Sequence, residues 1–213
     1  ADWTEEQTLD RVCDKFGSRT TSPGEPYVYR PSGAGLAIYN STAANPGARA
    51  GSGTRVTNNA LVDYTDLDAA RTLLANMKNN RGKRIQVWQN SSAVLLVPDA
   101  LVGVASRILN SEMLPGSVNE NNSWGPRGQY RPTLLSSPKL DDLSTSAWYL
   151  GNFKKQYMRK WKLRFEYAVL TGDTAAFLEK RIAGQWRIAW DMEVGAVDYV
   201  YVVQNLAGTT FVP

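Results

Sequence analysis

Residues 67–109 read LDAARTLLANMKNNRGKRIQVWQNSSAVLLVPDALVGVASRIL. They contain, in chain order, a helical pattern, two strand patterns and a second helical pattern, and this order predicts a fold of mixed helices and strands. The first pattern predicts a helix that Thr65 or Asp66 caps and that ends near Gly82. A helix of this kind buries one side and leaves the other in water. Its apolar side consists of Leu67, Ala70, Leu74 and Met77.

Two strand patterns follow this helix. Residues 84–88 alternate between polar and apolar side chains, which is typical of a strand with one buried face. Residues 93–97 form a continuous apolar run, which predicts a strand covered on both faces and ended by Pro98. Asp99 opens a second helix, whose apolar side consists of Leu101, Ala105, Ile108 and Leu109.

The part of the chain after residue 147 is rich in aromatic residues. In residues 160–167 apolar and charged side chains alternate, which predicts a strand with one packed face and one charged face. We favour a strand after Met158. A helix remains an alternative because aromatic residues recur every fourth position at Phe153, Tyr157, Trp161 and Phe165.

A second alternating run closes the chain. Residues 186–194 place Trp, Ile, Trp, Met and Val at every second position, and residues 197–203 continue the alternation after Gly195. Two adjacent strand patterns with a glycine between them predict a hairpin-like end to the chain.

The N-terminal region is less regular. Residues 4–16 predict a short amphipathic helix, and residues 18–59 are rich in Gly, Pro, Ser, Thr and Asn, with residues 36–39 as their strand candidate. Residues 115–128 have a similar composition and predict a second long loop. The apolar side of the N-terminal helix consists of Leu9, Val12, Cys13 and Phe16.

Composition excludes the kinds of enzyme that depend on histidine. The chain contains no histidine, which removes histidine-based acid–base catalysis, serine and cysteine triads, and nearly all zinc sites. Its single cysteine, Cys13, cannot form an internal disulfide. No apolar run approaches the ~20 residues that span a bilayer. We therefore expect a protein that is not an enzyme, with no cofactor, no metal and no membrane partner.

One pair of carboxylates invites a catalytic interpretation. Asp191 and Glu193 would share a face of the predicted strand, as a glycosidase-like acid and base or a hard-cation site requires. A charged outer face beside Arg187 is the simpler interpretation.

Three stretches together resemble the major capsid proteins of tailed bacteriophages, including the Mu-like branch. They are residues 67–109, residues 148–167 (WYLGNFKKQYMRKWKLRFEY) and residues 184–203 (GQWRIAWDMEVGAVDYVYVV). The resemblance implies an α+β protein with the Hong Kong 97-like (Johnson) capsid fold. It also implies an axial domain over residues 30–147 and a peripheral domain built from residues 1–29 and 148–213.

The resemblance further implies that copies of the chain self-assemble into pentamers and hexamers of an icosahedral shell around double-stranded DNA. Expected partners are further copies of the chain, the packaged DNA, and scaffold, portal or decoration proteins. The expected location is the virion capsid, assembled in the host cytoplasm. Seven Trp and ten Tyr residues suit such contacts, since these side chains dominate interface energy.

A run of basic residues is the candidate site for packaged DNA or for ion pairs between subunits. Lys and Arg neutralise phosphates, and the interleaved aromatic residues can stack on bases. The simpler interpretation is a solvated strand face or cross-subunit pairing with acidic residues such as Asp141, Asp142, Asp191 and Glu193. The run consists of Lys154, Lys155, Arg159, Lys160, Lys162 and Arg164.

Two other functions remain open. An encapsulin-type compartment shares the Johnson fold and encloses protein cargo in place of a genome. A basic nucleic-acid-binding module would use residues 154–164 and would bind DNA as a monomer in a salt-dependent manner.

Overall fold

The computed structural model describes residues 39, 54–78, 83–88, 92–114, 120–170, 185–198 and 200–208. The predicted helix at residues 4–16 lies outside this part of the chain. So does the strand candidate at residues 36–39, apart from Tyr39.

The described strands form two sheets, one of five strands and one of two. The strand bounds are β1 Arg55–Val56, β2 Val94–Pro98, β3 Thr133–Ser137, β4 Trp148–Gly151, β5 Tyr157–Leu170, β6 Gln185–Ala196 and β7 Val202–Asn205. In the larger sheet the strand order is β1-β7-β4-β2-β3, and the smaller sheet pairs β5 with β6.

The five-stranded sheet is mixed. Its central strands β7, β4 and β2 run antiparallel to one another, while β1 joins β7 and β3 joins β2 in parallel. Every residue of β4 and β7 is buried, as expected for strands covered on both faces. The described structure is therefore α+β, as the sequence predicted.

Two α-helices flank this sheet. The helix α1, Tyr64–Ala75, packs against β4 and β7, and α2, Val102–Asn110, packs against β2 and β3. A 3-10 turn, Asp99–Leu101, leads into α2, and a second one, Pro138–Leu140, follows β3. The one-turn helix α3, Phe153–Gln156, connects β4 to β5.

The predicted helix at residues 65–82 is present but differs at both ends. Its cap is Asp63, which accepts a hydrogen bond from the Thr65 backbone, while the Asp66 carboxylate returns to the Asp63 backbone N–H. This reciprocal pair satisfies donors that a helix start leaves open. The helix ends at Ala75. Two residues later, the Met77 carbonyl accepts a hydrogen bond from the Ile85 backbone N–H and so takes part in a contact outside the helix.

The strand predicted at residues 84–88 is wrong. Of these residues, Arg84 makes an isolated bridge with Lys78, and residues 85–88 form no strand, although Val87 is buried. The neighbouring prediction at residues 93–97 is confirmed as β2. The predicted helix from Asp99 is also confirmed, with Ala105, Ile108 and Leu109 buried.

The hairpin predicted at the end of the chain is wrong. The strand β6 pairs along its length with β5, whereas β7 lies between β1 and β4 in the other sheet. Alternation gives a strand its two faces, but it does not select the partner strand.

The five-stranded sheet crosses the domain boundary predicted between residues 147 and 148. Its strands β4 and β7 follow that boundary in sequence, and β1, β2 and β3 precede it. The part of the C-terminal region that stands apart from this sheet is the pair β5 and β6.

The core lies between the sheet and its helices and is anchored by two fully buried tryptophans. The Trp148 indole donates to the Asn59 carbonyl at 2.9 Å, and the Trp124 indole donates to the Asp68 carboxylate at 3.2 Å. Each indole therefore buries its apolar body while its N–H keeps an acceptor.

Two glycines offer a matched test of this packing. Gly151 has φ +151, and an added Cβ would lie 2.1 Å from the Tyr201 carbonyl oxygen. We expect Gly151→Ala to lower the free energy of unfolding by at least about 2 kcal/mol, since backbone strain and a backbone clash act together. Gly103→Ala, in an exposed position of α2 with open space around it, is the control. It should stabilise by about 0.5–1 kcal/mol. Urea denaturation measures both, and equal effects would contradict this account.

Candidate interaction surface

The strands β5 and β6 form a two-stranded ribbon, which we call the ribbon. Its pairing runs from Tyr157 with Ala196 at the base to Leu170 with Gln185 at the far end. Its strands pair with each other and with no other described strand. Register shifts occur between Trp161 and Leu163 and between Leu163 and Glu166, which is where a bulge bends and twists a strand. An isolated two-stranded ribbon is only marginally stable in water. Packing of further groups against its apolar face would therefore stabilise it.

One face of the ribbon is apolar and largely open to solvent. Phe165 stacks on Trp190 with ring centroids 6.5 Å apart, which fixes both rings on this face. Near the base, Met192 and Val194 are buried, whereas the outer part is exposed. We call the outer part the distal apolar face; it consists of Phe165, Tyr167, Val169, Trp186, Ile188 and Trp190.

The opposite face of the ribbon is charged. Lys162 lies 3.4 Å from the Asp191 carboxylate, with 86% and 53% of the two side chains exposed. Ion pairs this open to solvent contribute little to stability. The strand register places Lys160, opposite Glu193, and Glu166, opposite Ala189, on the same face, and both side chains are exposed. This face therefore remains a hydrated surface that carries charges of both signs.

The structure separates the six predicted basic residues. Lys154 and Lys155 lie at the base in α3, where the Lys155 ammonium is 5.6 Å from the Tyr201 ring centroid. Arg159 lies on the apolar side with its guanidinium 5.3 Å from the Trp161 ring centroid. Lys160 and Lys162 lie on the charged face, and Arg164 lies within the second register shift, so the run does not form one basic patch.

Two of the four predicted acidic partners, Asp141 and Asp191, have contacts within the chain. Asp141 accepts hydrogen bonds from the Asp99 and Ala100 backbone N–H groups and so caps the 3-10 turn before α2. Asp191 pairs with Lys162 within the chain.

Sequence reasoning missed the residue that fixes the base of the ribbon, Gln156. Its side chain is fully buried, and its Oε1 accepts hydrogen bonds from the Tyr201 and Val202 backbone at 3.0 and 2.7 Å. Its Nε2 donates to the Tyr157 hydroxyl at 3.1 Å, and its carbonyl accepts from the Val197 backbone at 2.8 Å. The buried Gln156 side chain thus hydrogen-bonds the start of β7, while its backbone bonds the end of the ribbon. No local sequence pattern predicts that a glutamine is buried in this way.

A second contact at the base connects the ribbon to an earlier part of the chain. The Tyr39 and Tyr157 hydroxyls lie 2.6 Å apart, and the Tyr39 ring packs on Tyr149 with centroids 5.6 Å apart. The ribbon is therefore attached to the core at its base while its outer part extends away from the five-stranded sheet.

The described residues also contain a groove of about 660 Å³ between the start of α1 and α2. Its lining includes Val62, Asp63, Tyr64, Val104 and Arg107, and the Asp63 carboxylate already caps α1. Among these parts of the chain no three His, Cys, Asp or Glu residues cluster so that they could hold a metal ion. None of the described helices has the length and apolarity needed to cross a membrane.

The chain combines a five-stranded sheet flanked by helices with a ribbon whose apolar face is exposed. Such a face suits contact with other macromolecules, which is typical of proteins that form assemblies. Comparison with protein families matches residues 34–206 to the family described as phage capsid protein, so the chain belongs to that family. It is accordingly a structural protein of the virion capsid, an oligomeric shell component and not an enzyme. A search of the curated proteins finds no match.

Proposed function

We propose that this chain is the shell-forming subunit of a phage head, that it has the Johnson fold, and that its copies form pentamers and hexamers around double-stranded DNA. Membership of the capsid family supports a shell protein. The finer assignment is supported by the order of elements, in which a helix-flanked sheet is followed by two long strands and a return to the sheet.

The exposed ribbon is the observation that carries this proposal. Isolated monomers rarely expose apolar patches larger than about 300–600 Å², and larger patches mark contact sites. Here three tryptophans, Trp161, Trp186 and Trp190, have 39%, 67% and 45% of their surface exposed. A subunit that is surrounded by copies of itself covers such side chains on assembly.

The domain division follows from the same arrangement. We assign the five-stranded sheet and its helices to the axial domain, including β4 and β7, and we assign the ribbon to the peripheral domain. Residues 1–29, which the sequence analysis placed in the peripheral domain, lie outside the described part of the chain and keep that assignment as part of the proposal.

The content of purified particles tests this function. Particles should be isolated, treated with nuclease, viewed by negative-stain microscopy, and then opened to recover their contents. Closed shells that protect double-stranded DNA are the expected result. Shells that contain a single protein cargo and no DNA would contradict the proposal and favour an encapsulin-type compartment.

A DNA contact by the cations of β5 is a second candidate function, favoured by the exposed Lys160, Lys162 and Arg164. Neutralising all three to Gln should lower the slope of log affinity against log salt by about 2–3, since each phosphate contact contributes ~0.9. Binding of the subunit to a short DNA duplex at several salt concentrations measures this slope.

A matched variant distinguishes this contact from a general charge effect. Changing Lys78, Arg84 and Arg127 to Gln removes the same charge from exposed positions outside the ribbon. We expect that variant to keep the original slope. Equal losses in both variants would show that the net charge of the subunit, and not the ribbon, determines binding.

A further inference from the structure

We propose that the distal apolar face of the ribbon packs against the same face of a second copy of this chain, so that two ribbons meet around a two-fold axis. This inference rests on the proposed function, because it names the partner of the surface that supports shell formation.

The size of the distal apolar face fits a subunit contact. Phe165 and Trp186 expose 66% and 67% of their surface, and Tyr167 and Trp190 expose 56% and 45%. Aromatic side chains bury 150–250 Å² each when covered, so these four rings offer roughly 500 Å² per copy. Two copies together therefore reach the ~1,000 Å² that a specific interface requires, before Val169 and Ile188 are added.

The second copy must supply an apolar surface of similar extent. Outside the ribbon, the exposed large apolar side chains among the described residues are Val62, Met113, Leu135 and Val197. They lie before α1, in the loop after α2, in the edge strand β3 and directly after β6, so no two of them share an element. The described surface of a second copy whose extent matches is the distal apolar face itself. A patch that binds its own copy does so around a two-fold axis.

The charges of the ribbon allow this arrangement. With two apolar faces in contact, the charged faces point outward on opposite sides of the pair. Exposed charged side chains such as Lys160, Lys162 and Glu166 then stay in water, whereas contact through the charged faces would remove them from it at a cost. The pair therefore has an apolar centre and charged, hydrated outer surfaces.

Cysteine trapping in the whole chain tests the pairing, because the native Cys13 can be removed by Cys13→Ser. In that background, single cysteines replace Phe165, Tyr167 or Ile188 on the apolar face. The matched controls replace Glu166 or Arg187 on the opposite face. After mild oxidation, non-reducing gels measure the covalent dimer. A disulfide requires Cα atoms about 4.4–6.8 Å apart, so only residues near the two-fold axis can react.

We expect at least one apolar-face cysteine to give at least about fivefold more dimer than any control, as the short reach of a disulfide demands. No dimer from the apolar face, or equal dimer from both faces, would overturn the pairing. In a chain that retains Cys13, an internal disulfide from Cys13 to Phe165→Cys would also overturn it, since the N-terminal segment would then cover this face.

Microscopy of the same samples separates the two proposals. Shells that form without an apolar-face dimer refute the ribbon pairing and leave the proposed function intact. Dimers trapped through the apolar face in a protein that never forms shells support the pairing and refute the function.

Discussion

Replacing Gln156 with Leu should lower the free energy of unfolding by about 3 kcal/mol or more. Leu fills a similar volume but accepts no hydrogen bond, so the Tyr201 and Val202 backbone N–H groups lose their partner at the junction of the two sheets. Each buried donor left unsatisfied costs about 1–3 kcal/mol. For a chain of 213 residues this corresponds to a fall in Tm of roughly 6–12 °C.

Urea denaturation followed by circular dichroism measures the change, with Gln129→Leu as the matched control. Gln129 is exposed in the loop before β3, so its replacement should change stability by less than about 0.5 kcal/mol. Amide exchange should also accelerate at Tyr201 and Val202 in the Gln156 variant. A loss below about 1 kcal/mol would show that Gln156 does not hold the two sheets together.

Replacing both Phe165 and Trp190 with Ser should reduce the yield of assembled particles by at least about tenfold while the fold of the five-stranded sheet survives. The two rings stack on the exposed ribbon face, and their removal takes away apolar contact area worth about 25 cal/mol per Å² in every interface. Because a closed shell repeats each contact many times, a loss at one interface multiplies through the whole assembly.

The control for this pair is Glu166→Ser with Arg187→Ser, which removes two exposed side chains from the charged side of the same strands. That variant should assemble with nearly unchanged yield. Sucrose-gradient sedimentation measures the particles, and the urea midpoint of each variant verifies folding. If the control variant loses assembly and the aromatic variant keeps it, the apolar face is not the contact surface.

The sequence predicted best those elements whose pattern of apolar residues shows which of their faces are buried. The run Ala93–Val97 has no polar side, and it became β2, covered on both faces. The helix α1 was predicted from its apolar stripe, yet its cap was missed by two or three residues because Asp63, Thr65 and Asp66 are all acceptable caps. Only the reciprocal bonds between Asp63 and Asp66 decide among them.

Pairing between strands was less accessible to sequence reasoning. The alternation in β6 was read correctly, but its partner is β5, a strand of 14 residues that matches its 12, and not the four-residue β7. Alternation alone does not distinguish these two partners. The pattern at residues 84–88 makes one isolated bridge, at Arg84, and no strand among the described residues.

The candidate surface was predicted in part. Alternation predicted the amphipathic character of residues 160–167, but two register shifts break the strict alternation, and Leu163 pairs with Asp191 of the charged face. The six basic residues were treated as one set, whereas Arg159 lies on the apolar side beside Trp161. The junction formed by Gln156, Tyr157 and Tyr39 depends on tertiary contacts across more than one hundred residues, which no local pattern encodes.

Sedimentation velocity of the purified subunit over a rising concentration series, with negative-stain images of the fastest species, tests the central claim most directly. If the exposed ribbon exists to be covered by neighbouring copies, the subunit will convert into pentamers, hexamers and closed shells as concentration rises. A single monomer boundary at every concentration, with Trp161, Trp186 and Trp190 still open to solvent quenchers, would contradict it.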